Sequence, residues 1–554
     1  VKDKVAATAP TPEVPVAVFD EAGYVRTNAD VAAAVRQGEY RSGYHHYIST
    51  GFQSGRTAGG MPREARNQVL PIAIPGLPGE AASASLANAM DAFLISPGGV
   101  LLIGWVDDVA SPIDSIRIMN SQWRLVIDGP SLMRVRRPDV EALRHRPGHQ
   151  ALGYVAFVAT DKPVPPGPCV VEIWLSNGHA RSGPSTPVRI DDAQMRDTLL
   201  AYVAGAQWAG TAAVAAMVAL DAGMGAQVVK LNAAMTAAMK AGLYVARFGA
   251  KRRVPQGSIM VCLYGKAEFL FLQNCLFAGL PSIAEYEFIF VCNSPDMAET
   301  LLTEAAAASL IYGLELTVVI LPGNAGFGAA NNVAAGLARG MRLLMINPDV
   351  FPKDRAWAAK HTSLIGSVRA EHCRLFGVPL YYDNGSLMHA GMYFEVDRGL
   401  SQAGGGLRGA PLVRVEHYGK GAPADATDLL RPRPVPAVTG AFMSIDRAWF
   451  EELGGFTEAY VFGHYEDADL CLKSWERGTA PWLHDIPMWH LEGKGSTRLP
   501  AHEGGALVNR WLMGKTWLSF IENGLVGPAP ARLPAATLPS AQAERRPPQR
   551  RAMR

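Results

Sequence analysis

Charge imbalance is what this sequence most lacks: 52 Lys+Arg stand against 50 Asp+Glu, a formal net charge of +2 over 554 residues. A dedicated nucleic-acid binder would carry a basic domain or stripe, so nucleic acid is not an expected partner. Cysteine is scarce too. The six are Cys169, Cys262, Cys275, Cys292, Cys373 and Cys471, and no pair has zinc-finger or redox-motif spacing. Several sit in apolar runs, where a thiol packs as a small hydrophobe, and a reducing, cytoplasmic compartment is expected. No cationic segment followed by an apolar stretch and a small-residue cleavage site opens the chain, so no secretory signal is read. Long, strongly apolar runs are also missing. The stretch between Asp197 and Asp221 is uncharged and long enough to span a bilayer, but it is mostly Ala and Gly with Gln207 and Thr211. Such residues partition weakly into lipid, and the stretch reads as a soluble Ala-rich helix.

A chain of this length needs about three or four cores of ~100–200 residues each. Residues 1–15, rich in Ala, Pro and Thr, read as a flexible leader. Residues 16–60 read as a small helical module. Asn28 is placed to cap a helix through Val31 to Val35, Asp30 lies in its first turn, and Gly38 stops it; Tyr40, Tyr44, Tyr47 and Ile48 form a second apolar stripe. His45 and His46 have no Cys or acidic partner at ligand spacing, so they read as packing or surface residues. Residues 61–92, rich in Gly, Pro, Ala and Ser, form a linker.

Between 93 and 191 the period changes to strands, at 100–106, 115–119, 123–127, 151–159 and 169–175, which predicts a β-sandwich. Trp105, Trp123 and Trp174 are placed either to stack on sugar rings or, as aromatics in strands usually are, to pack in the core. An Ala-rich helical linker is expected over 192–255, with helix to about 248 and Lys251-Arg252-Arg253 marking the approach to the next domain. Residues 527–554 read as a solvated tail carrying Arg545, Arg546, Arg550, Arg551 and Arg554; loose, peripheral attraction to an anionic membrane surface is the second reading.

From 256 to 526 strands and helices alternate. Strands are expected at 259–263, 288–292, 315–321 and 342–346, and helices at 268–279, 298–313 and 326–339. Strands separated by single helices imply parallel crossovers, hence an α/β, doubly wound, mostly parallel sheet whose ligands bind at the carboxyl ends of the strands. That rim would hold Leu263-Tyr264, Cys292-Asn293-Ser294 and Asn347-Pro348-Asp349.

Several blocks along this rim carry a resemblance. They are Asn324 to Asn332 (NAGFGAANN), Leu343 to Val350 (LLMINPDV), Gly385 to Gly391 (GSLMHAG), Thr439 to Phe442 (TGAF), Gly454-Gly455-Phe456 and Tyr465 to Leu470 (YEDADL). His490, Ser496, Asn509-Arg510 and Lys515-Thr516-Trp517 close the series. In this order they resemble glycosyltransferase family 2, an inverting family with a GT-A fold, in its rhamnosyltransferase-like branch. The resemblance covers about half the chain. The N-terminal stretch separately resembles a helical module with an Asn-Pro-Asp-Val and His-Tyr pattern, with Ala29 in place of the proline.

The family resemblance implies a nucleotide-sugar donor held near Leu263, Tyr264, Asn293, Asn324, Gly326, Asn332, Asn347, His389, Gly391 and Gly440. It implies Mn²⁺ or Mg²⁺ at Asp349 and His490, and Asp467, beside Glu466, as general base. The chemistry asks for such groups: a divalent cation bridging two phosphates needs only one or two protein ligands, and a single displacement with inversion needs one base. The acceptor would be a hydroxyl of a glycan, a lipid-linked glycan or a protein. The other roles are ordinary ones: a turn-forming Asp after Pro348, a core His after the apolar run Ile486 to Trp489, and helix-start acids at Glu466, Asp467 and Asp469. Two departures stand out. Cys292 occupies the place where relatives carry a base-binding acid, and Leu263-Tyr264-Gly265 replaces a Pro-x-Tyr/Asn pattern, so the sequence does not specify the nucleotide. A catalytically silent carbohydrate-binding or assembly protein is the rival class. A sugar nucleotidyltransferase would need a basic, Gly-rich phosphate loop after the first strand, where only Gly265-Lys266 is found.

Overall fold

The computed structural model describes residues 86–525 apart from 146–150, 179, 207–211, 251–253, 367–369, 398–411 and 498, together with 24–26, 28–37, 46 and 69–71. The expected leader, most of the helical module and linker, His45, Lys251-Arg252-Arg253 and the basic tail lie outside these residues. Within the module, Ala29–Arg36 is helical, but Asn28 does not cap it: its side-chain amide donates to the Tyr24 carbonyl at 2.8 Å. His46 is buried and its Nδ1 meets the Tyr24 hydroxyl at 2.9 Å, a packing role.

Two five-stranded sheets follow. Their facing residues, among them Phe93, Ile95, Val100 and Leu102 from one and Ile116, Ile118, Leu125 and Ile127 from the other, form a single core. Trp123 belongs to that core, and its Nε1 donates to the Pro165 carbonyl at 3.0 Å. Trp174 lies 4.2 Å beneath the Arg117 guanidinium. The opposite face of one sheet, with Leu101, Ile103, Val155 and Phe157, is covered by helices α1 (Asp192–Gly205) and α2 (Gly225–Ala241). Asp191 caps α1 with a reciprocal bond to Gln194.

Helix ends at Ala241 rather than near 248. Tyr244–Phe248 is a strand, β1, running antiparallel along the edge of the main sheet. That sheet continues with β2 (Gly257–Leu263), helix α3 (Glu268–Phe277), β3 (Tyr286–Cys292), α4 (Ala298–Tyr312), β4 (Leu316–Ile320), α5 (Phe327–Leu337) and β5 (Arg342–Ile346). Strands β2 to β5 pair in parallel in the order β4-β3-β2-β5. Their residues alternate between two cores: Ile259, Val261 and Leu263 face α3 and α4, while Met260 faces α5. The expectation of a mostly parallel sheet holds only here. Beyond β5 the sheet adds Phe442–Asp446, Leu375–Gly377, Trp482–Leu483 and Arg433–Pro434, and three of those four new pairings are antiparallel. Among the described residues between 347 and 441 no single crossover helix returns the chain to the starting edge, so the parallel rule no longer applies. Among the described residues no helix is long and apolar enough to cross a membrane.

Candidate active site

The carboxyl ends of β2, β3 and β5 open onto one cleft of ≈ 430 Å³. Tyr264, Asn293, Asn324, Asn347, Asp349, Gly440, Glu466, Asp467 and His490 all line it. Asp349, Asp467 and His490, far apart in the chain, therefore line one cleft.

Asp349 and His490 meet because of strand pairing. After Asn347-Pro348-Asp349 the chain forms Val350–Pro352, which runs antiparallel to Met488–His490 with Val350 opposite His490. Asp349 Oδ1 lies 3.3 Å from His490 Nε2. The other carboxylate oxygen, Oδ2, accepts from the Gly495 N–H at 2.9 Å. A Cβ at position 495 would fall 2.8 Å from the Asp349 carboxyl carbon, so glycine is what permits this approach. His490 Nδ1 lies 2.9 Å from the Met388 sulfur. A thioether only accepts, so Nδ1 must carry the proton of that contact. This leaves Nε2 facing a carboxylate oxygen. A proton or a cation between the two atoms would satisfy both, and a carboxylate oxygen with an imidazole nitrogen is a pair that could hold a divalent ion needing few protein ligands. Among the described residues no group of three or more His, Cys, Asp or Glu side chains holds a metal site alone.

Asp467 and Glu466 open the helix Glu466–Glu476 (α6), whose first turn also holds Asp469. Asp467 Oδ2 accepts from the Gly440 N–H at 2.9 Å and Oδ1 from the Ala468 N–H at 2.8 Å. Each oxygen keeps a further lone pair. Glu466 differs. It is buried, its Oε2 meets no partner, and burial, followed by the adjacent Asp467 charge, pushes its carboxyl well above the usual range. Asp469 points away from the cleft and is pinned by Trp517 Nε1 at 2.7 Å and Thr457 Oγ1 at 2.6 Å.

The turn before these acids is strained. Phe462, His464 and Tyr465 have φ values of 60°, 81° and 76°, the left-handed region that side-chain-bearing residues avoid. The Phe462 carbonyl accepts from the Phe327 N–H at the start of α5, at 2.5 Å. Gly326, at φ 88°, allows that contact, since a Cβ there would meet the Phe462 backbone at 2.9 Å.

Other expected contacts sit elsewhere. The Leu263 side chain is buried in the core, and only its carbonyl serves the rim, accepting from Asn293 N at 2.9 Å. Asn293 uses both ends of its amide to hold the next loop, through Gly326 O at 3.3 Å and Ala325 N at 3.3 Å. Gly326 therefore shapes the wall without lining it. Asn332 faces away and clamps Phe456 through two bonds of 2.9 Å. His389 lies behind the wall: strand residues alternate sides, so Met388 faces His490 while His389 turns to His417, Nδ1 to Nδ1 at 3.0 Å. Gly391 donates its N–H to His389 Nε2 at 3.2 Å, away from the cleft. Residues missed by sequence reading include Cys262, Phe327, Phe462, His464, Glu492 and His502. Proximity to quoted blocks would have found His464 and Glu492; His502, on helix α7 (Pro500–Gly524), reaches Tyr264 edge-on at 5.4 Å with no local signal.

No protein-family model matches the chain. A curated protein of Sinorhizobium fredii (strain NBRC 101917 / NGR234), the uncharacterized protein y4gI, is 29% identical over 167 residues. The match takes in 30% of this chain and spans 17% of that relative's length. Among solved structures, GalNAc-T7 with UDP, GalNAc and Mn²⁺ matches with a TM-score of 0.32 and 16% identity, over 47% of this chain and 48% of that one. The mannosyltransferase PcManGT from Pyrobaculum calidifontis, in complex with GDP-Man and Mn²⁺, matches with a TM-score of 0.31 and 15% identity, over 58% and 88%. At these TM-scores neither likeness bears on what this chain does.

Proposed function

We propose that this chain is a metal-assisted, inverting glycosyltransferase of GT-A type, moving a sugar from a nucleotide-diphosphate donor to an acceptor hydroxyl. One observation carries the reading: the Asp349–His490 pair and the two acids of α6, one buried without a partner on Oε2 and one held by backbone N–H groups, line the same cleft at the carboxyl ends of the parallel strands β2, β3 and β5. Asp349 Oδ1 and His490 Nε2 would hold a divalent cation, Mn²⁺ or Mg²⁺. When bound, such an ion neutralises charge that develops on the departing diphosphate. Asp467 takes the acceptor proton on a carboxylate oxygen, and its two backbone bonds keep that oxygen fixed in place while the hydroxyl attacks. Burial pushes the Glu466 carboxyl up, so it would offer an O–H donor rather than a second negative charge beside an anionic donor. Tyr264, Asn324 and Asn347, which line the cleft, would meet the donor.

The test is release of nucleotide diphosphate from a panel of nucleotide sugars with Mn²⁺, comparing the protein with Asp467→Asn. Wild type should exceed the variant by about a hundredfold or more for at least one donor. A wild type no faster than the variant on every donor would identify a silent binder instead.

A further inference from the structure

Arg196 belongs to α1, outside the main sheet, and is only 3% exposed. Its Nη1 donates to the Asn324 carbonyl at 3.0 Å, and its guanidinium carbon lies 4.3 Å from the centre of the Phe462 ring. Nε is paired with Asp197 at 2.9 Å. Asn324 and Phe462 both line the cleft, from opposite stretches of chain, and are joined by the Phe327 N–H to Phe462 carbonyl bond. Arg196 touches both sides of that junction without lining the cleft itself. Packing alone does not ask for a guanidinium here, because desolvating a cation is costly and an apolar side chain would fill the space. A planar group that can donate in its plane and stack on its face is what the two contacts require. One turn before Arg196 the helix is itself anchored, where Asp192 Oδ1 accepts from the Gly98 N–H of the N-terminal sheets at 2.7 Å.

We propose that Arg196 is a positioning residue of the cleft, a brace between the Asn324 loop and the strained Phe462 turn, so that the working unit begins at α1 and not at residue 256. That the braced loop serves a sugar donor rests on the function proposed above.

The experiment uses the full chain with Arg196→Met and Arg196→Lys. Amide exchange is followed at 324–327 and 461–465, with β3 as internal control, alongside donor KM and kcat. Arg196→Met should exchange at least about tenfold faster in both segments while β3 stays protected, as loss of a charged hydrogen bond and a cation–π contact implies. Donor KM should rise about tenfold with kcat within about threefold, and Arg196→Lys should fall between, since it keeps the charge but not the plane. A merely structural arginine would lower protection in β3 as well and leave KM alone. Wild-type exchange at both segments in either folded variant overturns the proposal. Faster exchange in both segments, with a wild type that turns over no nucleotide sugar, supports the brace and removes the donor reading.

Discussion

The Asn509 side chain holds Val461 on both of its backbone groups: Oδ1 accepts from the Val461 N–H at 2.7 Å, and Nδ2 donates to the Val461 carbonyl at 2.9 Å. The same Nδ2 reaches the carbonyls of Gly463 at 2.7 Å and His464 at 3.2 Å. Asn509 is fully buried on α7, and the turn it grips contains the left-handed Phe462, His464 and Tyr465. Each such residue costs on the order of 1–3 kcal/mol, so something outside the turn must hold it. Asn509→Ala should therefore lower unfolding free energy by about 2–4 kcal/mol, the cost of leaving several buried backbone groups unpaired. Urea denaturation measures it, and a loss under about 0.5 kcal/mol, the size of an ordinary surface change, would mean water replaces the amide.

Removing either half of the Asp349–His490 pair should abolish metal dependence. Asp349→Asn keeps an acceptor for the Gly495 N–H but loses the charge, and His490→Ala removes Nε2. Mn²⁺-supported nucleotide release should fall about a hundredfold in each, and the double variant should be little worse, because two ligands of one ion act as a unit. Additive losses would place the two side chains in separate roles.

How much of this was legible in the sequence follows from what each signal encodes. Strand β5 emerges as expected, Arg342–Ile346, because an apolar run this short, bounded by turns, suits a strand rather than a helix. Strand β1 hides at the end of an Ala-rich helix, and only its distant partner β4 makes it a strand. The blocks around Asn332, His389 and Gly391 lie in the right neighbourhood, yet order along the chain does not say which way a side chain turns. Met388, with no polar group to attract notice, faces the imidazole that matters. The bent turn at 462–465 is the least legible feature: it places Phe, His and Tyr where glycine is usual, and its support arrives from helices that begin at Asp192 and Pro500.

Glu466 and Asp467 should respond oppositely to amidation. Burial raises the Glu466 carboxyl above its ordinary value of 4.5, so over the interval above that value the folded protein holds a proton the unfolded chain has released. Stability contributed there is present in acid and declines as pH rises toward the native value. Glu466→Gln, permanently neutral, should match wild type at about pH 4 and surpass it in Tm by about pH 8. Its turnover should stay within about tenfold of wild type, unlike Asp467→Asn, since an amide still donates a hydrogen bond but cannot serve as base. A Glu466→Gln variant as inactive as Asp467→Asn would move the base to Glu466.

His361 gives the opposite slope. It is fully buried between the Tyr286 hydroxyl, 2.8 Å from Nδ1, and Ser444 Oγ, 2.8 Å from Nε2. Arg342 Nε donates to that same Oγ at 2.8 Å, which sets a guanidinium one hydroxyl away from the ring. Burial first, and the Arg342 charge second, hold the imidazole well below its ordinary 6.5. As pH falls below that value the unfolded chain takes up a proton that the native ring refuses, so the stabilising contribution is complete above it and is lost on acidification. His361→Gln can keep part of the polar contact without titrating. It should be less stable than wild type at about pH 7, yet lose stability less steeply down to about pH 5, by as much as about 1.4 kcal/mol per pH unit. Chemical denaturation at several pH values gives both slopes. Parallel slopes would assign the acid sensitivity to another buried imidazole such as His389, which burial, then His417, His490 and Arg433, hold below its ordinary value.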